Sequence, residues 1–330
     1  MTTLSEKPVC HYVEHTQPAQ TADCLERVGA ANALQFDLDT VGTLRARAAA
    51  RQASFVGRPV AGVDVRDAQW GTSGQVKAAR IYSPDRDATA SDLALVWFHG
   101  GGFVSGSLDA VDYQCRLLCK GARIAVVSFA YALAPEAPFP RAIEDALAAI
   151  AWAREQFSGE RGRPPRIVVG GDSAGGNLAA VASQSLARFP LHNVAGQLLI
   201  YPVLDLHNES WSYATHATTP TLTAERMRWY GVQYAGSTAR TDPRISPLVT
   251  SDLKGVAPAL IISAEIDPLL GESETYADKL RQSGIEVERH VFRGLYHGFW
   301  NWGACHDAAG QASGIATNWL KRIGGCEQMR

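Results

Sequence analysis

Residues 166–177, Arg-Ile-Val-Val-Gly-Gly-Asp-Ser-Ala-Gly-Gly-Asn, constrain the fold more than any other part of the chain. The β-branched run at 167–169 predicts a strand, and the alanine-rich segment 178–187 has helical periodicity. Glycines flank Ser173 in the pattern Gly-x-Ser-x-Gly, which permits a sharp turn that exposes the hydroxyl at a helix N-terminus, where a developing negative charge is favoured. The pattern alone also fits a tight turn with an incidental serine.

The 330 residues have an ordinary globular composition, with 46% hydrophobic residues, 19% charged residues and a formal net charge of −2. This balance supports a large core, and it gives no electrostatic reason to expect nucleic acid as a partner. Residues 1–20 contain no apolar run of signal-peptide length, and no later segment is long enough for a membrane span. We therefore expect a cytoplasmic protein without membrane insertion, built as one catalytic domain with a cap.

Strands and helices alternate along most of the chain. Alternating runs at 63–67 and 76–82 predict a hairpin, and from residue 93 to residue 200 predicted strands are separated by helical segments. Such alternation is typical of an α/β domain with a mostly parallel sheet. The fold class predicted from the sequence is therefore α/β.

A glycine-rich loop follows the apolar run at 93–98. The loop reads His-Gly-Gly-Gly-Phe at 99–103, and its glycines allow the backbone to approach another group closely. We interpret it as an oxyanion loop, in which the backbone N–H groups of Gly101, Gly102 and Ala174 stabilise a carbonyl oxygen as it becomes negative. A flexible turn is the alternative, whereas a P-loop is excluded because no Lys-Ser/Thr follows. The histidine is expected to orient the loop rather than act as a base.

The last third of the chain supplies an acid and a base. A predicted strand at 259–263 leads to Asp267, which precedes a proline and is a better orienting acid than its competitor Glu265. A further strand, 286–292, leads to His297 on a glycine-flanked loop, and we predict that this histidine is the general base. The order serine, aspartate, histidine is that of the α/β hydrolases.

The cap is predicted from segments without sheet periodicity. Residues 1–56 have helical character, 57–330 form the catalytic domain, and 205–237 contain many aromatic residues for a simple loop. We expect both segments to cover the substrate pocket, although aromatic side chains that merely hold a surface segment in place are an alternative. Three aromatic residues are candidate substrate contacts: Phe103, Trp211 and Tyr213.

Charged residues of the N-terminal segment give no sign of a ligand. Arg45, Arg47 and Arg51 are expected on the solvent face of a helix. Neither cap segment concentrates basic residues enough to predict an anionic substrate. His11 and His15 are spaced like two metal ligands on one helical turn, but no third ligand is evident, so we predict no metal site.

Five motifs together resemble the bacterial hormone-sensitive-lipase family of esterases over residues 93–300. They are His99-Gly-Gly-Gly-Phe, Tyr131-x-Leu-Ala-Pro-Glu136, Gly171-Asp-Ser-Ala-Gly-Gly176, Asp267-Pro-Leu and His297-Gly-Phe. Two departures are visible, because Ala132 stands where the family commonly has a basic residue and Leu270-Gly271 replaces a common Arg-Asp pair. Neither changes the serine, aspartate or histidine, but both leave supporting contacts and dimer contacts in question.

The resemblance implies an α/β-hydrolase fold and hydrolysis of small carboxylic esters with short to medium acyl chains, with no metal or cofactor and often as a homodimer. In that reading Ser173 attacks the carbonyl, His297 takes its proton, Asp267 orients the imidazole, and an acyl-enzyme forms. Three other readings stay open. An amidase or formamidase would use the same three residues, a binding protein on this fold would lack catalysis, and a true lipase would need an apolar lid.

Overall fold

The computed structural model describes residues 10–14, 17–32, 41–55, 60–72, 75–85, 92–158, 164–189 and 194–325. The strands are β1 (Cys10–Val13), β2 (Val63–Thr72), β3 (Gln75–Pro84), β4 (Leu93–Phe98), β5 (Ala125–Phe129), β6 (Arg166–Asp172), β7 (Gly196–Ile200), β8 (Ala259–Ile266) and β9 (Val287–Tyr296). The helices are α1 (Pro18–Asn32), α2 (Val41–Ala53), α3 (Asp112–Ala122), α4 (Arg141–Gln156), α5 (Ala174–Leu186), α6 (Trp211–Thr215), α7 (Ala224–Ala235), α8 (Leu270–Gln282) and α9 (Asp307–Ile323).

In this part of the chain one sheet contains nine strands in the order β1-β9-β8-β7-β6-β4-β5-β3-β2. Strand β3 is antiparallel to both of its neighbours, β2 and β5, and the other pairs are parallel. The predicted α/β class, with an opening hairpin and a mostly parallel sheet, is therefore confirmed. Because β4, β6, β8 and β9 run in the same direction, the loops after their carboxyl ends lie along one edge of the sheet.

Helices cover both faces of the sheet. Because successive side chains of a strand point to opposite faces, alternate residues pack against different helices. All six residues of β4 are buried; Ala94, Val96 and Phe98 join the core that contains α4 and α5. Leu93, Leu95 and Trp97 join the opposite core, which contains α3 and α9. A continuous apolar run is thus the sequence of a strand that is buried on both faces.

The prediction of helical character for residues 1–56 is wrong at residues 10–13, which form strand β1. Strand β1 pairs in parallel with β9, with Cys10 opposite Arg289 and Val13 opposite Phe292. Its four residues have no apolar alternation, so backbone hydrogen bonding to the edge of β9, rather than side-chain periodicity, makes it a strand. His11 lies in β1 and stacks on His290, at a ring separation of 4.9 Å; His15 lies outside the described residues.

The aromatic insertion is more regular than the sequence suggested. It contains the short helix α6 and the three-turn helix α7, which begins after Thr223, whose hydroxyl accepts a hydrogen bond from the backbone N–H of Arg226 at 3.1 Å. This cap satisfies one of the amides that have no partner inside a helix. Among the described residues, no helix has the length and apolar content that crossing a membrane requires.

Candidate active site

Ser173 lies in the tight turn between β6 and α5. Its φ and ψ are 55° and −115°, an uncommon conformation for a residue with a side chain. A Cβ atom at Gly175 would overlap the carbonyl oxygen of Phe98, and one at Gly171 would overlap the backbone of Gly175. The two glycines are therefore required because strand, turn and helix backbones pack directly against each other.

A hydrogen-bonded chain runs from this serine to a buried carboxylate. His297 Nε2 is 3.0 Å from Ser173 Oγ, and His297 Nδ1 is 2.7 Å from Asp267 Oδ2. The other oxygen of Asp267 accepts a hydrogen bond from the backbone N–H of Leu269 at 2.9 Å. The competing acid Glu265 instead accepts a hydrogen bond from the backbone N–H of Gly294. The structure thus brings together the serine, aspartate and histidine that the sequence singled out.

The glycine loop after β4 packs against the nucleophile turn. Gly101 and Gly102 have φ values of 123° and 63°, which glycine adopts at little cost. A Cβ at Gly102 would overlap the ring of Tyr230, and the carbonyl oxygen of Gly101 accepts hydrogen bonds from the backbone N–H and the hydroxyl of Ser105, both at 3.0 Å. Ala174 is the first residue of α5, where backbone N–H groups have no partner inside the helix.

His99 holds this loop in place. It is buried, its Nδ1 is 2.8 Å from the carbonyl oxygen of Gly100, and its ring stacks on Tyr131 at 4.4 Å. The Tyr131 hydroxyl in turn donates to the carbonyl oxygen of His99 at 2.7 Å. Burial lowers the pKa of His99 to about 4, so the ring is neutral at pH 7 and Nδ1 donates the hydrogen bond. This arrangement fits the predicted orienting role.

Asp172 links three loops of the candidate site, and no motif in the sequence predicts a role for it. One carboxylate oxygen accepts from the backbone N–H of Gly100 at 3.0 Å, and the other accepts from the side-chain amide of Asn301 at 2.9 Å. Burial raises the pKa of Asp172 above its usual range, while these hydrogen bonds act in the opposite direction. The only signals in the sequence are its place directly before Ser173 and the place of Asn301 four residues after His297.

A cavity of about 250 Å³ opens over Ser173 and His297. Its floor is formed by the loops that carry Gly101, Ser173 and His297, and its walls come from both segments that were predicted to form the cap. The wall residues of the N-terminal segment are Val28, Leu44, Arg45, Arg47, Ala48, Ala49, Arg51, Gln52 and Phe55, and those of the insertion are Thr221, Leu222, Arg226, Met227 and Tyr230.

The three aromatic residues proposed as substrate contacts are not among the described residues that line this cavity. Phe103 is fully buried and stacks on Tyr234 at 3.7 Å. Trp211 is half exposed, and its indole N–H donates to Glu274 on α8 at 3.2 Å. Tyr213 is buried near Glu272; burial and this carboxyl group raise the pKa of its hydroxyl. These rings pack the insertion onto its neighbours and do not form the pocket.

The expectation for the α2 arginines is also wrong. Arg45, Arg47 and Arg51 line the cavity instead of facing solvent. The guanidinium of Arg45 forms a bidentate ion pair with Glu136, at 2.7 and 2.8 Å, and donates to the carbonyl oxygen of Val104 at 2.8 Å. It therefore fixes α2 to the segment next to the glycine loop.

A family model described as the alpha/beta hydrolase fold matches residues 95–301, well over half of the chain. The chain belongs to the alpha/beta hydrolase family. Curated relatives in this family include the carboxylic ester hydrolase LipN of Mycobacterium tuberculosis, 44% identical over 248 residues, which are 72% of this chain and 65% of LipN. The ethyl acetate hydrolase of Pseudomonas putida is 38% identical over 239 residues, 72% of this chain and 75% of that protein. The alignment thus spans just under two thirds of the length of LipN.

Solved alpha/beta hydrolase structures agree over nearly the whole chain. The hyperthermophilic esterase from the archaeon Pyrobaculum calidifontis has a TM-score of 0.83 and 32% identity, covering 94% of this chain and 99% of that chain. An ester hydrolase from the metagenome of Lake Arreo has a TM-score of 0.85 and 31% identity. The match covers 93% of this chain and 98% of that chain. The resemblance to the hormone-sensitive-lipase esterases and the predicted α/β-hydrolase fold are thereby confirmed.

The two departures from this hydrolase family have local compensations. At Ala132 the backbone N–H donates to the buried Asp145 at 2.8 Å, and the cation paired with this carboxylate is Lys77 of β3. At Gly271 a side chain would collide with Ser210, and the backbone N–H donates to the hydroxyl of Ser212 at 3.0 Å. Glycine at this position therefore lets α6 pack tightly on α8.

Among the described residues, no group of three or more histidine, cysteine, aspartate or glutamate side chains is arranged to hold an ion. The polar groups at the cavity floor include the Ser173 hydroxyl, the His297 imidazole and the backbone amides of the glycine loop. These groups are suited to nucleophilic attack by the hydroxyl with proton transfer to the imidazole.

Proposed function

We propose that this carboxylic ester hydrolase works through an acyl-enzyme, with Ser173 as nucleophile, His297 as general base and Asp267 as orienting acid. The observation that carries the proposal is the continuous hydrogen-bonded chain, 3.0 Å from Oγ to Nε2 and 2.7 Å from Nδ1 to Oδ2, at the floor of a cavity. The esterase activity named for relatives of up to 44% identity supports the ester as the bond that is cleaved.

In this proposal the reaction has two steps. As Ser173 Oγ attacks the ester carbonyl carbon, its proton passes to His297 Nε2, and Asp267 stabilises the imidazolium through Nδ1–H. The oxyanion accepts hydrogen bonds from the backbone N–H groups of Gly101, Gly102 and Ala174. His297 then gives its proton to the leaving alcohol oxygen as the carbon–oxygen bond breaks. Water repeats the sequence on the acyl-enzyme, releasing the acid and restoring the Ser173 hydroxyl.

The substrates proposed are small esters with short to medium acyl chains. A cavity of about 250 Å³ is slightly smaller than the roughly 300–1,000 Å³ of most small-molecule sites, so it limits the size of the acyl and alcohol groups together. In this proposal α2, within residues 1–56, and α7, within residues 205–237, form the cap over the catalytic domain. A homodimer, which the family resemblance implies, is part of the same proposal, and sedimentation velocity of the purified chain tests it.

Ser173→Ala tests the mechanism. We expect turnover of 4-nitrophenyl butyrate to fall by at least about 1,000-fold, since the residual rate comes from binding and the oxyanion hole alone. Ser183→Ala is the matched control because it removes a buried hydroxyl from α5, the helix that follows Ser173, about 15 Å farther along. Both variants are checked for unchanged unfolding temperature. Retained activity in Ser173→Ala would refute the mechanism, and equal turnover of a matched anilide would favour the amidase reading.

A further inference from the structure

Tyr201 has a backbone conformation that a tyrosine rarely adopts. It follows directly after β7, its φ is 33°, and the next residue is a proline. A positive φ crowds the Cβ atom against the following carbonyl oxygen, and a residue before proline is restricted further. Such strain persists only where surrounding contacts hold it, and it concentrates at functional sites. The contacts of Tyr201 therefore indicate what this conformation serves.

The backbone around Tyr201 is bound to the backbone of the proposed nucleophile. The N–H of Ser173 donates to the carbonyl oxygen of Ile200 at 2.9 Å, and the N–H of Val203 donates to the carbonyl oxygen of Ser173 at 3.1 Å. The N–H of Tyr201 itself donates to the carbonyl oxygen of Ile262 in β8 at 2.6 Å. Hydrogen bonds on both sides of Tyr201 therefore fix its position relative to the turn that carries Ser173.

The side chain of Tyr201 packs on the imidazole of His297. The two ring centroids are 4.5 Å apart, and the ring planes are inclined at 51°. The Tyr201 ring also meets the ring of Phe299 at 5.8 Å, so it contacts two side chains that follow β9. It is 1% exposed and lies at the edge of the catalytic cavity. These contacts place a rigid aromatic surface beside the proposed general base.

The glycines on either side of His297 leave its loop loosely packed. Gly294 and Gly298 have φ values of 68° and 90°, and a Cβ atom built at either one would meet no atom of the described residues within 4 Å. The side chain of His297 is 11% exposed. Its hydrogen bond to Asp267 holds one atom of the ring, Nδ1, and does not by itself fix the ring plane. Packing against a neighbouring ring supplies that restraint.

Tyr201 holds its place without entering the proton transfers. Burial, together with the negative charges of Asp172 and Asp267, raises the pKa of its hydroxyl well above the usual range, so the hydroxyl stays protonated at neutral pH. It therefore does not compete with His297 for the proton of Ser173. A neutral, buried ring provides a surface for the imidazole and takes no part in the chemistry.

We propose that Tyr201 is a positioning residue, whose ring holds the imidazole of His297 in the orientation that proton transfer requires. This inference rests on the proposed function and names a further residue on which the same reaction depends. His297 Nε2 takes the serine proton and later gives it to the leaving alcohol, so the imidazole must keep one orientation through both transfers. The role belongs to the aromatic ring of Tyr201 and not to its hydroxyl.

Two substitutions separate the ring from the hydroxyl. Tyr201→Leu removes the ring, so kcat for 4-nitrophenyl butyrate should fall by about 10-fold to 100-fold while KM changes by less than about threefold, because a misplaced base slows the chemical steps. Tyr201→Phe keeps the ring, and its kcat should be at least about tenfold higher than that of Tyr201→Leu. Equal kcat values in the two variants, or a loss that appears only in KM, would overturn the inference.

A second core substitution distinguishes positioning from a general loss of packing. Phe292→Leu removes a fully buried ring from the core that also contains Tyr201. The Phe292 ring packs on Phe299 at 4.9 Å. Thermal unfolding should show that this variant is destabilised, as Tyr201→Leu is, whereas its kcat should stay within about twofold of wild type. An equal fall in kcat in the two leucine variants would overturn the inference.

Proton NMR reports the orientation of the imidazole without turnover. In the wild-type protein the Nδ1–H that is bound to Asp267 should give a low-field resonance at low temperature, which His297→Ala assigns by its loss. The resonance should persist in Tyr201→Phe and disappear in Tyr201→Leu, since an imidazole that can turn exposes this proton to exchange with water. An unchanged resonance in Tyr201→Leu would overturn the inference. Failure of the proposed mechanism is distinguishable, because Ser173→Ala would then retain turnover, whereas the resonance requires none.

Discussion

The side-chain amide of Asn301 donates a hydrogen bond to Asp172 over 2.9 Å, and this contact ties the loop that carries His297 to the residue before Ser173. The same carboxylate accepts a hydrogen bond from the backbone N–H of Gly100 at the start of the glycine loop. The turn that carries Ser173, the loop that carries His297 and the glycine loop are therefore joined at one buried acid. The distances between Ser173, His297 and Asp267 therefore depend on Asp172, which is not one of the three proposed catalytic residues.

The first prediction concerns this link. Asn301→Ala leaves a buried carboxylate oxygen without its donor, which costs about 1–3 kcal/mol, so kcat for 4-nitrophenyl butyrate should fall by about 10-fold to 100-fold. Asn318→Ala, on the exposed face of α9, is the matched control and should leave kcat unchanged. Steady-state kinetics on both variants checks the effect, and an equal kcat in the two variants would contradict it.

A second prediction concerns the pH dependence of stability. Glu272 is fully buried at the start of α8, where it accepts hydrogen bonds from the backbone N–H groups of Leu204 at 2.6 Å and Asp205 at 3.0 Å. Burial raises the pKa of Glu272 from 4.5 to about 8. The folded protein thus keeps this proton over a pH range in which the unfolded chain loses it, so the contribution of Glu272 to stability falls as pH rises from about 4.5 to about 8.

Glu272→Gln removes that dependence while it keeps an acceptor for the two backbone groups. The unfolding temperature of the variant should rise relative to wild type by at least about 4 °C between pH 5 and pH 8, given about 2–4 °C for each kcal/mol in a large domain. Thermal unfolding followed by circular dichroism measures this difference. Glu225→Gln, an exposed glutamate on α7, should show no such trend. A difference that is constant with pH would mean that Glu272 is ionised throughout.

The third prediction concerns Arg45, which links α2 to the catalytic domain. Arg45→Lys keeps the charge but loses the planar fork that reaches Glu136 and the carbonyl oxygen of Val104 together. We expect α2 to become more open to proteolysis and KM for neutral esters to rise about three- to tenfold. Limited trypsin digestion and steady-state kinetics provide the measurement. Arg141→Lys, in an exposed pair with Glu144, is the control, and equal cleavage rates in both variants would contradict the role of Arg45.

The fourth prediction concerns the proposed cap. Removal of residues 1–40 is not a clean test, because it deletes β1 from the edge of β9 and removes α1, whose Cys24 and Val28 are buried. Ala48→Phe instead adds a ring to the cavity wall and leaves the sheet intact.

The added ring should exclude the longer acyl chain. We therefore expect kcat/KM for the hexanoyl ester of 4-nitrophenol to fall by at least about tenfold relative to the acetyl ester, since one methylene group in a pocket changes kcat/KM by about tenfold or more. Ala46→Phe, on the exposed face of α2, should leave the ratio unchanged. A chain-length profile identical in both variants would show that α2 does not bound the acyl group.

The sequence by itself determined the parts of this protein in which neighbouring residues act together. The β-branched run and the glycines around Ser173 permit only a strand, a tight turn and a helix, because a Cβ at Gly175 would meet the backbone of β4. Predicted strands also placed Asp267 and His297 at strand ends, and parallel strands put those ends on one edge. Local propensity and topology together were therefore sufficient for the fold and for the three proposed catalytic residues.

Only the tertiary structure decided which residues surround that site. Helical periodicity predicts two faces for α2 but does not indicate which face lines the cavity. The prediction that Arg47 and Arg51 face solvent is wrong for this reason. Strand β1 exists because the edge of β9 offers it backbone hydrogen bonds, which its side-chain pattern does not encode. The contact of Asn301 with Asp172 spans 129 residues. Such contacts depend on how distant segments pack, and no local pattern in the chain specifies that packing.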